Sequence, residues 1–200
     1  MTDEERRRVM DTVMGRTGKK QPDNQSQASN ANNNNQLNAG IVWFMRSSIP
    51  YTFGIDGSTI EADASVIKTL NLDNESFAEL VNLIKNSFCI EINDDEASSY
   101  LTDTFNDMYW FIAEKIEQKR RHYPSVAALV RDIAVEKLGV EEEEVFSQAH
   151  WLNDLGCDSL DTVELTMCFE AMFNIQIPNE VAEHLETVGD VVNYIERNAR

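Results

Sequence analysis

The chain has 200 residues, 42% of them hydrophobic, and no uninterrupted apolar run reaches the ~18 residues that membrane insertion of a helix requires. A formal charge of −18 disfavours nucleic acid, whose phosphates need a basic surface, and points instead to basic protein partners. Cys89, Cys157 and Cys168 are an odd number without CxxC spacing, and His122, His150 and His184 are scattered, so neither a disulfide framework nor a metal site is expected and a reducing cytoplasm fits.

The opening Met1-Thr2-Asp3-Glu4-Glu5 is acidic, and no apolar core of a secretory signal follows it. Residues 2–15 predict a charged helix, with Thr2 and Glu5 as a capping box and an apolar face of Val9, Met10, Val13 and Met14. From Gly18 to Gly40 the chain is polar and Asn/Gln-rich, with Asn32 to Asn35 in an unbroken row. Such a composition buries too little apolar surface to offset backbone entropy, and residues 1–40 are read as an N-terminal segment ending in a disordered tether.

Apolar periodicity returns over 41–119. Pro50 lacks an amide donor and is expected to kink or end the first helix there. Trp43, Phe44 and Tyr51 near the start of this unit, and Tyr100, Phe105, Tyr109, Trp110 and Phe111 near its end, form either a core or a face presented to a partner. The link from Lys115 to Pro124 includes Lys119, Arg120, Arg121 and His122, cations suited to a helix C-terminus and able to lean on an acidic neighbour.

That neighbour is the last segment: residues 124–200 hold 16 acidic and 4 basic side chains. Ser125 caps a helix through about Leu138, striped by Val126, Leu129, Val130 and Ile133, and Gly139 follows where a helix end favours glycine. A loop with Trp151 and Leu152 as expected anchors leads to a second helix starting at Asp158 or Ser159 and running to about Phe173. Pro178 opens a short turn of helix, and Thr187 caps a final helix containing Val188, Val191, Val192, Tyr194 and Ile195.

Displaced by 85 residues, 41–92 lies over 126–177 without a gap, and ten of the 52 positions are identical, among them Arg46/Arg131, Gly54/Gly139, Asp73/Asp158, Leu80/Leu165, Phe88/Phe173 and Ile92/Ile177. A register slip of two residues then places Thr104, Asp107 and Ile112 over Thr187, Asp190 and Ile195. The two units read as repeats.

The run Asp154-Leu155-Gly156-Cys157-Asp158-Ser159-Leu160-Asp161-Thr162-Val163-Glu164-Leu165, with Phe169-Glu170 and Phe173-Asn174-Ile175-Gln176-Ile177-Pro178 after it, resembles the acyl carrier proteins of type II fatty acid synthesis. The resemblance covers about 123–200. It implies an all-α fold of two tandem small four-helix bundles of acyl-carrier-protein type: an acyl carrier domain at 123–200, preceded by a degenerate carrier-like domain at 41–119. It implies that Ser159 is the attachment point of a 4'-phosphopantetheine arm delivered from coenzyme A by a phosphopantetheinyl transferase. The chain would then be a carrier of acyl thioesters and a substrate of its partners, not an enzyme. Fatty acid or lipid biosynthesis is the expected pathway, with a specialised polyketide or peptide pathway, or a docking scaffold without turnover, as alternatives.

The residue types suit that chemistry. A serine at a helix N-terminus places a phosphate ester at the positive end of the helix dipole, Gly156 permits a tight turn, and Asp158 can cap the helix and contact the transferase. On the second helix Thr162, Leu165, Phe169 and Met172 are expected to face inward. Leu160, Val163 and Met167, beside Asp161, Glu164 and Glu170, form a second face that the resemblance assigns to docking of basic acyl-transfer enzymes. In the first unit Asn74 stands where Ser159 would be and cannot carry an arm. Ser76 lies about 200° around the helix from the site.

Overall fold

The computed structural model describes residues 38–101 and 103–199, which are helical with no β-strand among them. The expected helix at 2–15 and the tether up to residue 37 lie outside the described residues. The last three residues of the expected tether, 38–40, instead belong to a capped helix. Asn38 caps a helix, α1 (Ala39–Trp43), its side chain accepting a hydrogen bond from the Ile41 amide.

Pro50 does not end this helix. A π-helical turn, Phe44–Ser48, follows α1, and α2 (Ile49–Phe53) continues to a left-handed Gly54 with φ 62°. The Ile49 amide donates to the Phe44 carbonyl five residues back. The backbone thus widens by one residue just before Pro50, where an α-register would drive the ring into the preceding turn.

The remaining helices are α3 (Val66–Leu70), α4 (Asn74–Phe88), α5 (Asp94–Tyr100), α6 (Phe105–His122), α7 (Val126–Leu138), α8 (Ser159–Phe173), α9 (Asn179–Ala182) and α10 (Val188–Asn198). Their ends recur at the offset seen in the sequence. Asp73 and Asp158 cap two 15-residue helices, which stop at left-handed Cys89 and Asn174, both at φ 50°. Lone bridges pair Ser65 with Thr104 and His150 with Thr187, closing corresponding corners of the two halves.

One hydrophobic core runs through both halves. Helices α1, α4 and α6 pack on α8, so the N-terminal half covers part of the helix that begins with Ser159. Gly40 is needed at that contact, because a Cβ there would lie 2.9 Å from the Ala171 Cα. The Asn38 side-chain amide donates to the Ala171 carbonyl at 2.6 Å, and the Asn38 backbone amide donates to the Tyr109 hydroxyl at 2.7 Å. Burial pushes that phenol up to about 12.

Half of the first unit's eight named aromatics are core. Phe44 meets Phe88 edge-on at 4.9 Å, and Phe105, Tyr109 and Phe111 are buried, whereas Trp43, Tyr51 and Tyr100 are exposed. The basic link does lean on the acidic unit: Lys119 Nζ lies 3.1 Å from Asp132 and 2.8 Å from Glu136, both on α7. Arg120 instead pairs within α6, with Glu117 at 2.7 Å.

The cysteine reading is corrected. Cys89, at the C-cap of α4, and Cys168, on α8, form a disulfide across 79 residues, leaving Cys157 as the free thiol among the described residues. An odd count was compatible with one bridge plus one thiol. The bridge withdraws the cysteine argument for a reducing compartment.

Candidate functional site

The site is built where the loop before α8 turns into the helix. Trp151 and Leu155 anchor the loop by burial, the Trp151 amide donates to the Glu186 carbonyl at 3.1 Å, and the Cys157 amide donates to the Trp151 carbonyl at 2.9 Å. Leu152 does not anchor it: the side chain is 69% exposed, because the loop backbone turns it outward while Trp151 fills the core. Gly156 makes the turn at φ 68°, a left-handed conformation that glycine adopts without steric cost.

Asp158 is the cap. One of its carboxylate oxygens accepts from the Leu160 amide at 2.7 Å and the Asp161 amide at 3.0 Å, and its own amide donates to Asp161 Oδ2 at 2.9 Å. Those backbone amides hold the Asp158 carboxyl below the usual carboxylate range. Ser159 is therefore relieved of capping. It is the first residue of α8, exposed, and its hydroxyl makes no hydrogen bond among the described residues.

Because Asp158 already takes the Leu160 and Asp161 amides, an anion on Ser159 would meet the helix dipole with little help from those donors. Cys157, one residue from the cap, is a poor competitor for acyl groups. Burial raises its thiol and keeps it protonated, with Sγ 3.7 Å from Thr162 Oγ1.

Along α8 the expected inward stripe holds at Leu165, Phe169 and Met172, which are buried, but fails at Thr162. Thr162 is exposed, its hydroxyl donating to the Asp158 carbonyl at 2.8 Å, a local bond that serves a threonine in the first helical turn. On the second face Leu160 is 66% and Val163 55% exposed, whereas Met167 is half-buried. Glu164 is exposed, 3.6 Å from Lys137. Asp161 completes the capping box, and Glu170 is half-buried, accepting from the Ile177 amide at 2.6 Å. Burial raises the Glu170 carboxyl above its ordinary range.

At the corresponding start of α4, Asn74 is exposed and Asp73 again caps. The Ser76 hydroxyl donates to that Asp73 carboxylate at 2.6 Å, so it is engaged within the cap and is not presented as a second attachment group.

Ser159 stands on the rim of two cavities. The smaller, about 530 Å³, lies within the C-terminal unit between α8 and the α9 region, lined by Trp151, Leu165, Phe169 and Leu185. The larger, about 910 Å³, lies between α8 and the N-terminal half. Trp151 lines the smaller one, and its indole Nε1–H is buried with no hydrogen-bond partner among the described residues.

Residues 128–195 match the family model described as the phosphopantetheine attachment site. That segment is a phosphopantetheine carrier domain. It spans about a third of the chain, and the group it implies is covalently attached 4'-phosphopantetheine. When bound, that group supplies a terminal thiol on which acyl chains form thioesters. The exposed Ser159, on the rim of two cavities, fits it. What the chain itself contributes is a hydroxyl freed by a neighbouring cap, a dipole beneath it and apolar space on either side. Sequence reasoning missed Cys168 and Ala171 as parts of a covered face. Periodicity finds an apolar stripe but does not name the element that packs on it.

Proposed function

We propose that Ser159 carries the arm and that the chain is an acyl carrier protein, shuttling acyl thioesters among the enzymes of fatty acid or lipid biosynthesis while performing no catalysis itself. The observation that carries this reading is the division of labour at the head of α8, where Asp158 caps the helix and leaves the adjacent serine hydroxyl exposed and unbonded. Its partners are a phosphopantetheinyl transferase, which recognises the Asp158 region, and acyl-handling enzymes with basic docking patches. Leu160 and Val163 supply the apolar part of the docking face and Asp161 and Glu164 its charge, on a helix within a segment of strong negative charge. Met167 and Glu170, half-buried, frame its lower edge.

The N-terminal unit is read as a degenerate carrier-like bundle. Matching caps and left-handed residues at the 85-residue offset, and corner bridges whose second partners lie 83 apart, support that reading, with Asn74 at the position of the lost hydroxyl. The packing of this unit on α8 favours a second reading, a specialised pathway whose enzymes dock on both units at once. Intact mass after co-expression with a phosphopantetheinyl transferase tests attachment. Wild type should gain the mass of one arm and Ser159→Ala none, and an arm retained on Ser159→Ala would refute the assignment.

A further inference from the structure

We propose that the groove between the N-terminal unit and α8 shelters the acyl chain carried by this protein, held there as an uncharged, thioester-linked chain. The inference rests on the reading of Ser159 as the attachment residue.

Ser159 stands on the rim of this groove, so an arm fixed there delivers its cargo at high effective concentration. Apolar side chains from both units form part of the wall, Trp43 and Phe44 from the first helix and its π turn, Phe88 from the end of α4, and Ile175 and Ile177 from the stretch after α8, with Ser87, Thr166 and Gln176 among the polar ones between them. The volume of about 910 Å³ falls in the class that accommodates a small-molecule ligand. Trp43 keeps 51% of its surface exposed beside this space, although its neighbour Phe44 is fully packed.

Charge selects the occupant. Glu170, Glu180 and Glu183 line the groove, and none of its lining side chains is a lysine or arginine. A free fatty acid or a lipid phosphate would bring an anion against these carboxylates, whereas a chain whose carboxyl is tied up as a thioester brings none. The groove exists only because the unit without an attachment serine packs against α8, which gives that unit a role. Val163 and Met167 line it too, so a sheltered chain lies against the docking face, and an enzyme gripping that face competes with storage.

The test uses the full chain loaded with a decanoyl-phosphopantetheine arm, loading being verified by intact mass. The indole N–H resonances of Trp43 and Trp151 are compared between the free-thiol and decanoyl forms. The Trp43 resonance is expected to move on acylation while that of Trp151 stays. Ser87→Phe, which narrows the groove from α4, should abolish the Trp43 shift. It should also speed hydroxylamine cleavage of the thioester about tenfold, the factor for returning about two methylenes to water. A loaded protein in which Trp151 moves and Trp43 does not places the chain in the smaller cavity and overturns the proposal. A Trp43 that moves only when a docking enzyme is added makes a protein the occupant and also overturns it. An unmodified mass refutes the attachment reading itself and takes this proposal with it, so the two failures are distinguished by the first measurement.

Discussion

At Gly156 and Asn71 the chain solves one backbone problem twice, with φ 68° and 51°, and the pair separates conformation from contact. A Cβ added at Gly156 would meet nothing within 4 Å, so Gly156→Ala should lose only the left-handed preference, about 1 kcal/mol in urea unfolding. Gly156→Asn should lose less, since asparagine tolerates that region and already occupies it at Asn71. Gly189 is the contrasting case. Its Cβ would fall 2.8 Å from the Ser147 carbonyl, whose oxygen also accepts the Gly189 amide at 2.7 Å, so the substitution must move backbone. Gly189→Ala should therefore cost more, about 2 kcal/mol, as overpacked sites do. Equal losses at the two glycines would contradict this division. Such positions are only half visible in a sequence. A glycine before a capping aspartate reads as a turn, but the approach of Ser147 to Gly189 is a tertiary fact.

At the scale of the element, α8 was legible in its boundaries and less so in its faces. The aspartate cap and apolar run place its start at Asp158 or Ser159 and its end near Phe173, and left-handed Asn174 is where it stops. Thr162 was misplaced because a threonine one turn into a helix can satisfy its hydroxyl on a backbone carbonyl and face solvent. The π turn before Pro50 had no local signature beyond the proline itself. Glu170 reads as a docking acid by position, yet it ties α8 to the Ile175–Ile177 stretch through the Ile177 amide. Its pH dependence follows from the sign of its shift. Burial raises the folded carboxyl above the ordinary 4.5, so the folded state prefers the protonated form. The contribution is complete below the ordinary value and is lost as pH rises through the raised one. Glu170→Gln keeps an acceptor for Ile177 and carries no charge, so its melting temperature relative to wild type should be higher at pH 7 than at pH 4. A difference that is the same at both pH values would show that desolvation of Glu170 does not govern the joint.

For the whole molecule, an 85-residue offset in the sequence suggests two related units, but it carries no sign that one packs on the other. Ala171 and Cys168 lie in the apolar run of α8 whether solvent, a bundle partner or a second unit faces them, and an odd cysteine count conceals one bridge as easily as none. The structure joins the units by three kinds of contact. Lys119 bonds to α7 carboxylates, the Asn38 amide bonds to Ala171, and Cys89 is linked to Cys168. The covalent link differs from the others in acting on the unfolded chain. Closing a loop across 79 residues restricts the denatured ensemble by about 4 kcal/mol in the chain-entropy account. Denatured, unreduced protein should accordingly titrate one thiol, Cys157, and reduced protein all three cysteines. Reduction, or Cys168→Ser, should lower the melting temperature while leaving Ser159 open to modification, because the head of α8 is shaped by Asp158 and Gly156 and not by the bridge. Three thiols in the unreduced protein would mean that the units are held by noncovalent contacts alone. A loss of arm attachment in Cys168→Ser would mean that the N-terminal unit reaches further up α8 than its contacts at Ala171 imply.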